Sequence, residues 1–486
     1  MDYRNIYLGP KCKIPDFFIY CGSSNPNINN IDNMIHPERK KLISRRNFIG
    51  KTSAAIAGLT IVPSHVVSGL GHTAPSDKLN VACIGIGGMG RSVLSHVSET
   101  ENIVALCDVD WNEATTRVFE TYSGARRFKN YRVMLDEMKE IDAVIVATPD
   151  HTHAVATMEA IKRGKHVYTE KPLTKTIYEA RRLTEAAREY NVATQMGNQG
   201  QAQDRPRRLR EMISDGVIGD VREVHVWTDR PNRGLSDTYW PQGVSRPDET
   251  PPVPDSLDWD QFVGPAPMRP YHRAYHPFRW RGWWDFGTGA LGDIGCHSFD
   301  PVFRALGLKY PTAVQAVSTL VNDETFPLGS MVTYDFPERE EMPALRLTWY
   351  DGGLRPPRIP GIDPGIQMGA GGVLYVGDKG MILGNQILPE SLDASYTRPE
   401  PWIPNSPGHH KEWTDACKGG KPAGSNFDWA GPLTETVLLG NIALRPELRE
   451  TLSQRPLEFD PVNLRFPNMP EADRFLRYEY RAGWEL

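Results

Sequence analysis

Long uninterrupted apolar runs are missing from this chain. A helix that crosses a lipid bilayer needs about 18 or more consecutive apolar residues. The longest candidate, IAGLTIVPSHVVSGL over residues 56–70, is interrupted by Pro63, Ser64 and His65. A short, broken run of this kind is typical of the apolar part of a signal peptide. The sequence therefore predicts no membrane-spanning helix.

Cysteine and basic charge are also scarce. The 486 residues include six cysteines, and none of them forms a C-x-x-C pair. This spacing excludes the disulfide-framework class and the common zinc-binding modules. Beyond residues 1–72, the chain carries 46 basic and 56 acidic residues. We therefore do not expect a nucleic acid or an anionic membrane surface as the main partner.

The N-terminal part of the chain contains the stretch SRRNFIGK, residues 44–51. The paired Arg45 and Arg46, followed by a small-residue apolar run, resemble a bacterial twin-arginine signal, which the export machinery reads as an address. We expect residues 1–74 to be an N-terminal extension with this signal, cleaved near residues 71–74. The folded protein would then be exported to the periplasm or another extracytoplasmic space. A basic surface turn before a buried helix is the alternative interpretation.

A glycine-rich turn follows the first strong strand pattern. The sequence LNVACIGIGGMGRSVLSHV places Gly85, Gly87 and Gly90 in a G-x-G-x-x-G arrangement between a strand and a helix. The first glycine permits the tight turn, the second lets the backbone approach a pyrophosphate, and the third lets the helix pack on the strand. Gly88 and Met89 complete the turn. This context predicts a dinucleotide-binding site.

An acidic residue follows the next strand pattern, NIVALCDVD. Asp108 lies eighteen residues beyond Gly90, about where a carboxylate accepts hydrogen bonds from the adenosine ribose. A carboxylate there repels a 2′-phosphate, so NAD is favoured over NADP. Asp110 and the nearby Arg126 or Arg127 keep NADP open as the less favoured cofactor, and a solvated turn is the structural alternative for Asp108.

Strand and helix patterns alternate up to residue 200. Alternating βαβ units predict an α/β fold, a doubly wound parallel Rossmann sheet over residues 78–200, with its ligands at the carboxyl ends of the strands. Further candidates for the cofactor site stand at those ends: Thr148, Pro149, His153, Glu170, Lys171 and Asn198.

The sequence after Gly200 is rich in aromatic residues and proline. Its strand patterns are VREVHVWT, TAVQAVSTL, SMVTYDF, ALRLTWY and the hairpin-like GGVLYVGDKGMILGN. They predict an α+β domain over residues 201–486 with a large, open, mostly antiparallel sheet. A glycine-rich helix after WRGWWDFGTG is expected close to the cofactor, and two C-terminal helices are expected to pack back on the first domain. The open sheet offers a surface for a homo-oligomer.

The motifs GIGGMG, CDVD, ATPDHTH, TEKPL, GNQG and GDIGCH, in this order and spacing, resemble the Gfo/Idh/MocA oxidoreductases. The resemblance covers nearly the whole chain beyond the signal. It implies that Lys171 of the EKP motif, with Asp293 and His297 of the later D-x-G-x-H motif, lines the nicotinamide and the substrate. It also implies a polyol or sugar substrate. The family includes exported glycosidases that hold NAD tightly.

These three residues suit the oxidation of a secondary alcohol. The reaction needs a base for the hydroxyl proton, a donor that holds the oxygen and an aligned hydride acceptor. His297 suits the base and Lys171 the donor. Asp293 stands four residues before His297, on the same helix face, where it could orient the ring or bond a sugar hydroxyl. We interpret the chain as an NAD-dependent oxidoreductase acting on a sugar, glycoside or cyclitol, with a tightly held cofactor.

Two other functions remain open from the sequence. One is a glycosidase or epimerase that oxidises its substrate transiently and reduces it again without net redox change. The other is a non-catalytic sugar-binding protein that keeps the fold as a scaffold.

Two groups of side chains fit more than one role. His151 and His153 form an H-x-H pair without a third ligand of suitable type, so no metal site is predicted and cofactor contact or loop structure is preferred. Trp280, Trp283 and Trp284 fit either stacking on a sugar ring or packing in the core.

Overall fold

The computed structural model describes residues 77–233, 237–340, 342–452 and 455–486. The predicted twin-arginine signal, within residues 1–74, lies outside these ranges. Within them, no helix combines the length and the apolar character that a membrane crossing requires.

Six short parallel strands form the first sheet. They are β1 Asn80–Ile84, β2 Asn102–Cys107, β3 Arg126–Phe128, β4 Ala143–Val146, β5 His166–Glu170 and β6 Thr194–Gly197. Their order across the sheet is β3-β2-β1-β4-β5-β6, the order of a Rossmann fold. Cys83 of the central strand pairs with Leu106 on one side and Ile145 on the other, and all three are fully buried. The predicted parallel sheet is confirmed.

Helices connect these strands, and local side chains fix where several of them begin. They are Met89–Val97, Glu113–Thr121, Tyr131–Glu137, Asp150–Lys162 and Ile177–Glu189, followed by the 3₁₀ turn Gln199–Ala202 and the helix Asp204–Ser214. Asn112 accepts hydrogen bonds from the first backbone N–H groups of the second helix. Thr176 and Glu179 form a reciprocal capping box at the fifth.

Eight strands form the second sheet. They are β7 Val221–Trp227, β8 Ala313–Ser318, β9 Ser330–Phe336, β10 Leu345–Tyr350, β11 Gly372–Gly377, β12 Met381–Leu383, β13 Gln386–Leu388 and β14 Leu457–Glu458. Their order is β13-β12-β11-β7-β10-β9-β8-β14. The pairs are antiparallel except for β7 with β10, which run parallel. The prediction of a large, mostly antiparallel sheet is confirmed.

The second domain contains six further helices and two 3₁₀ turns in its described residues. They are Trp259–Val263, Gly289–Leu306, Glu390–Ser395, His409–Cys417, Phe427–Ala443 and Pro446–Leu452, with 3₁₀ turns at Arg279–Gly282 and Pro470–Phe475. We call Gly289–Leu306 the site helix. The helix Phe427–Ala443 packs against both the site helix and the first-domain helix Ile177–Glu189. This helix therefore connects the two domains.

Residues 254–286, which we call the aromatic segment, fold over the first domain. Trp259, Phe262, Tyr275, Trp283 and Phe286 share a small core there. Trp283 is fully buried in that core, and this favours the packing role over sugar stacking for that residue. Trp284 is also buried, with its ring centre 3.7 Å from that of Phe326.

Candidate active site

Two glycines of the G-x-G-x-x-G turn are required by close backbone packing. Gly85 has φ +84°, and a Cβ there would lie 2.6 Å from the carbonyl oxygen of Ala147. A Cβ on Gly90 would lie 1.9 Å from the carbonyl oxygen of Gly85. Gly87 has no such neighbour, since the nearest atom would lie 3.4 Å away. The first and third glycines are thus needed for backbone packing. The space beside the second glycine, Gly87, is open.

The turn and its surroundings fit a dinucleotide. The helix Met89–Val97 begins without a side-chain cap, so its first N–H groups can bind an anion. The Thr148 hydroxyl is buried at the end of β4 and has no hydrogen-bond partner in the described chain. The site therefore offers the kinds of group that bind the pyrophosphate and the sugars of NAD. These are an open glycine turn, a free helix N-terminus and an unpartnered hydroxyl.

Asp108 stands at the end of β2 and braces the glycine turn. Its carboxylate accepts hydrogen bonds from the N–H of Ile86 at 2.8 Å and of Asp110 at 3.0 Å. Burial raises the pKa of Asp108 to about 6, although these hydrogen bonds oppose the shift. Each oxygen keeps capacity for a further hydrogen bond, as a ribose diol would require.

The two arginines that kept NADP open are engaged elsewhere. Arg126 is exposed and pairs with Glu137 at 2.5 Å. The guanidinium of Arg127 lies over the ring of Phe119 and donates to the carbonyl oxygen of that residue.

A cavity of about 340 Å³ runs from the glycine turn to the end of β5. Its lining includes Gly87, Asp108, Thr148, Asp150, Lys171 and Arg281. The cavity therefore joins the predicted cofactor residues to the predicted catalytic lysine.

Lys171 meets the site helix at the inner end of this cavity. Its ammonium donates to the carboxylate and to the backbone oxygen of Asp293, both at 2.8 Å. The Nε of Arg281 donates to the same carboxylate oxygen at 3.1 Å. Burial alone would lower the pKa of Lys171, but the charge and the hydrogen bond of Asp293 together outweigh burial and hold that pKa above its usual value. Burial would raise the pKa of Asp293, and the two cations hold it well below its usual range.

His297 lies one helical turn beyond Asp293 and is held by Asn198. The Nδ1 of His297 lies 2.7 Å from the amide oxygen of Asn198, whose NH₂ donates to the carbonyl oxygen of Cys296 at 3.1 Å. This second bond fixes the amide, so Nδ1 carries the proton and Nε2 keeps a free lone pair. Burial, and then the charge of Lys171, lower the pKa of His297 to about 4. The ring is neutral at pH 7.

The structure brings Lys171, Asp293 and His297 together from the two domains and changes one detail of their expected roles. Asp293 was expected to orient the His297 ring or to bond a sugar hydroxyl. Its carboxylate pairs with Lys171 and Arg281, and Asn198 rather than Asp293 bonds the ring, while a bond from Asp293 to a sugar hydroxyl stays a prediction. A cation on each side attracts the carboxylate more strongly than a neutral imidazole does.

Glu170 and Asp150 are buried carboxyl groups at the same strand ends. Glu170 accepts hydrogen bonds from the Tyr168 hydroxyl and the Gln199 amide, and burial raises its pKa to about 7. Asp150 accepts one from the Thr288 hydroxyl at 2.5 Å, and burial raises its pKa to about 7. Both groups therefore exchange a proton near neutral pH beside the cavity.

The two histidines of the H-x-H motif, His151 and His153, lie between backbone carbonyl groups and have a structural role. The ring nitrogens of His153 each lie 2.8 Å from a carbonyl oxygen, that of Thr148 and that of Pro172, so the ring joins the loops after β4 and β5. His151 lies in the same way between Phe262 and Phe286 of the aromatic segment. Burial lowers the pKa of both histidines to about 4. The described part of the chain contains no cluster of side chains suited to a metal ion.

Arg281 is a site residue that the motifs did not indicate. Its guanidinium lies 4.2 Å from the ring centres of both Phe278 and Trp280, and it donates to the carbonyl oxygen of Phe278. The only signal in the sequence is a basic residue inside the aromatic run RWRGWWDFG, twelve residues before Asp293.

A Rossmann sheet with an open glycine turn after its first strand has the form of a dinucleotide-binding domain. The profile described as "Oxidoreductase family, NAD-binding Rossmann fold" matches residues 79–198. A second profile, "Oxidoreductase family, C-terminal alpha/beta domain", matches residues 205–325. Over these two regions the chain is therefore similar to the Gfo/Idh/MocA oxidoreductase family.

Curated relatives resemble parts of the chain. It is 30% identical over 168 residues to D-glucoside 3-dehydrogenase of Escherichia coli K12, a match that covers 34% of this chain and 46% of that protein. It is 28% identical over 155 residues to inositol 2-dehydrogenase/D-chiro-inositol 3-dehydrogenase of Lacticaseibacillus casei, over 30% of this chain and 44% of that protein. The chain thus spans less than half the length of these relatives.

A solved structure shares the fold over most of its length. The WlbA dehydrogenase of Bordetella pertussis, solved in complex with NADH and UDP-GlcNAcA, superposes with a TM-score of 0.53 at 17% identity. The match covers 76% of this chain and 97% of the other. At this identity the likeness supports the two-domain fold alone.

Proposed function

We propose that this protein is an NAD-dependent dehydrogenase that oxidises a secondary hydroxyl of a sugar, glycoside or cyclitol and keeps its cofactor between turnovers. The proposal rests on one contact. At the inner end of the glycine-lined cavity, the ammonium of Lys171 donates a hydrogen bond to the carboxylate of Asp293 on the site helix. The partial likeness to a glucoside dehydrogenase and an inositol dehydrogenase supports the substrate class.

The side chains divide the chemistry of such an oxidation between them. The free Nε2 lone pair of neutral His297 accepts the hydroxyl proton, while Asn198 holds the ring through Nδ1. The Lys171 ammonium, fixed by Asp293, stabilises the negative charge that develops on the substrate oxygen. NAD, when bound in the cradle, supplies the hydride acceptor.

The acidic end of β2 supports NAD over NADP. Asp108 faces the turn that would hold the pyrophosphate, and Asp110, which left NADP open in the sequence, has a buried, unpartnered carboxylate oxygen two residues away that now counts against NADP. Two carboxylates at this position repel a 2′-phosphate, and neither Arg126 nor Arg127 is placed to neutralise one.

Export of the folded protein would make retention of the cofactor necessary. The twin-arginine pattern at Arg45 and Arg46 supports an extracytoplasmic location. A protein there has no NAD pool to draw on, so the cofactor would be loaded before transport and reset in place by a second substrate or by the product itself.

Release of the bound nucleotide tests the proposal. The purified protein is denatured, the nucleotide is identified by chromatography and mass, and the native protein is screened for NADH formation with glycosides and cyclitols. NAD in the supernatant and NADH with one sugar class are expected. Conversion of a glycoside without net NADH would indicate the redox-neutral cycle instead, and a protein that neither holds nor binds NAD would refute the proposal.

A further inference from the structure

The aromatic segment is joined to the first domain at the adenosine end of the cavity. The N–H of Asp258 donates to the carbonyl oxygen of Val109 at 2.8 Å, and the N–H of Trp111 donates to that of Ser256 at 3.0 Å. Between these bonds, Asp110 and Leu257 form an antiparallel bridge. The loop after β2, which carries the predicted ribose acid, is thus paired with backbone from the second domain.

Side chains of the same segment form a wall of the cavity. Gln261, Phe262, His276 and Phe278 line it together with Gly87 and Asp108 of the first domain. The Nε2 of His276 lies 3.4 Å from a carboxylate oxygen of Asp110. A dinucleotide in the glycine cradle would therefore have protein on both sides at its adenosine end.

The segment is a folded unit with its own core. Trp259 and Phe262 stack with ring centres 5.0 Å apart, and the indole of Trp259 donates to the carbonyl oxygen of Arg269 at 2.8 Å. His151 joins the carbonyl oxygens of Phe262 and Phe286 to the helix after β4. A unit held in this way moves as a whole, so opening its edge requires several contacts to break together.

We infer that the aromatic segment is the second wall of the dinucleotide site and that NAD leaves only when the contact between residues 109–111 and 256–258 opens. This inference rests on the proposed NAD function and explains how the cofactor is retained. It adds residues of the second domain at the adenosine end of the site, where the sequence placed residues of the first domain alone.

The first test removes a side-chain contact at the opening edge. His276→Ala deletes the imidazole next to Asp110, and Arg273→Ala, an exposed position of the same segment, is the matched control. Purified proteins loaded with radiolabelled NAD are chased with excess unlabelled NAD, and the dissociation rate is measured. We expect release about tenfold faster in His276→Ala, a factor that corresponds to about 1.4 kcal/mol, and wild-type release in Arg273→Ala.

The second test locks the edge. Asp110 and Leu257 form the pair without direct hydrogen bonds between them, for which the Cα atoms are roughly 4.5 Å apart, within reach of a disulfide. In Asp110→Cys/Leu257→Cys, oxidation should slow NAD release about tenfold or more relative to the reduced form of the same variant. The four cysteines in the described chain are free, three of them buried, so each single-cysteine variant serves as the redox control.

The outcomes separate this inference from the proposed function. Release that is equal in the oxidised and reduced forms, with His276→Ala like the wild type, would overturn the role of the segment while leaving NAD binding in place. A protein that binds no NAD under any of these conditions would overturn the proposed function and this inference together.

Discussion

The hydrogen bond between Asn198 and His297 determines which ring nitrogen of this buried histidine carries the proton. The bond fixes the proton on Nδ1, and burial keeps the ring neutral far below pH 7. A neutral imidazole with a free Nε2 accepts a proton over a wide pH range. With His297 as the proposed base, its protonation sets one acid limit of the reaction.

Replacing the amide with a carboxylate should move that limit. In Asn198→Asp a negative charge beside Nδ1 favours the imidazolium, so the pKa of His297 rises from about 4. Protonated His297 cannot act as a base, and the acid limb of kcat/KM should shift to higher pH. The difference between the variant and wild-type profiles isolates this group from Asp150 and Glu170, whose pKa values are about 7. A lower rate with an unmoved acid limb would contradict the positioning role.

The predicted preference for NAD over NADP depends mainly on Asp108. Asp108→Ala removes a hydrogen-bond acceptor for the ribose and the charge that repels a 2′-phosphate, so NAD should bind more weakly and the preference over NADP should narrow. Affinities for both nucleotides, measured by titration of the nucleotide-free protein, check this. Arg126→Ala, which loses an exposed pair with Glu137 and a contact over the ring of Phe128, is the control. Unchanged preference in Asp108→Ala would count against the assignment.

Motifs revealed some site residues and long-range contacts revealed others. Lys171, Asp293 and His297 stand in motifs whose order could be read directly. The partner of His297 is 99 positions away, and no local pattern indicates such a contact. Arg281 was missed for the same reason, because its importance comes from sharing a carboxylate with Lys171 and not from its place in a motif.

At the scale of elements, the glycine turn couples the fold to the cofactor site. Gly90→Ala would place a methyl group 1.9 Å from the carbonyl oxygen of Gly85, so the helix Met89–Val97 must move away from β1. We expect a loss of about 1–3 kcal/mol in the free energy of unfolding and weak NAD binding. Denaturant unfolding and nucleotide content measure both.

Gly200→Ala is the matched control, since a Cβ at Gly200 meets nothing within 4 Å. It should keep wild-type stability and nucleotide content. A Gly90→Ala protein that still holds NAD like the wild type would show that the turn does not form the cradle.

Regular elements were predictable from the sequence and the aromatic segment was not. Apolar runs between turn residues predicted the longer strands of both sheets, such as the alternating β9, but not the short strands β3, β13 and β14. The aromatic segment has one helix of five residues and one 3₁₀ turn, so it has no period to detect. The parallel pairing of β7 with β10 was also not indicated, since strand patterns do not reveal direction.

At the scale of the whole molecule, the proposed retention of NAD and the proposed export of the folded chain depend on each other. Replacing both signal arginines, Arg45→Lys with Arg46→Lys, should keep the protein in the cytoplasm while leaving its fold and its NAD content unchanged. Fractionation of cells, followed by nucleotide assay of each fraction, checks this. The wild-type protein should be extracytoplasmic and still carry NAD. Wild-type protein found in the cytoplasm would contradict the export signal.

A single-turnover experiment on the bound cofactor tests the central claim most directly. Protein that carries NAD is mixed with a sugar identified in the screen, without added nucleotide, and absorbance at 340 nm is followed in the wild type, Lys171→Ala, His297→Ala and the double variant. In the wild type, we expect NADH formation limited by the amount of bound NAD. Each single variant should react about 10² times more slowly or worse, and the double variant should lose less than the sum of the two free energies. Wild-type rates in either single variant, with NAD still bound, would contradict it.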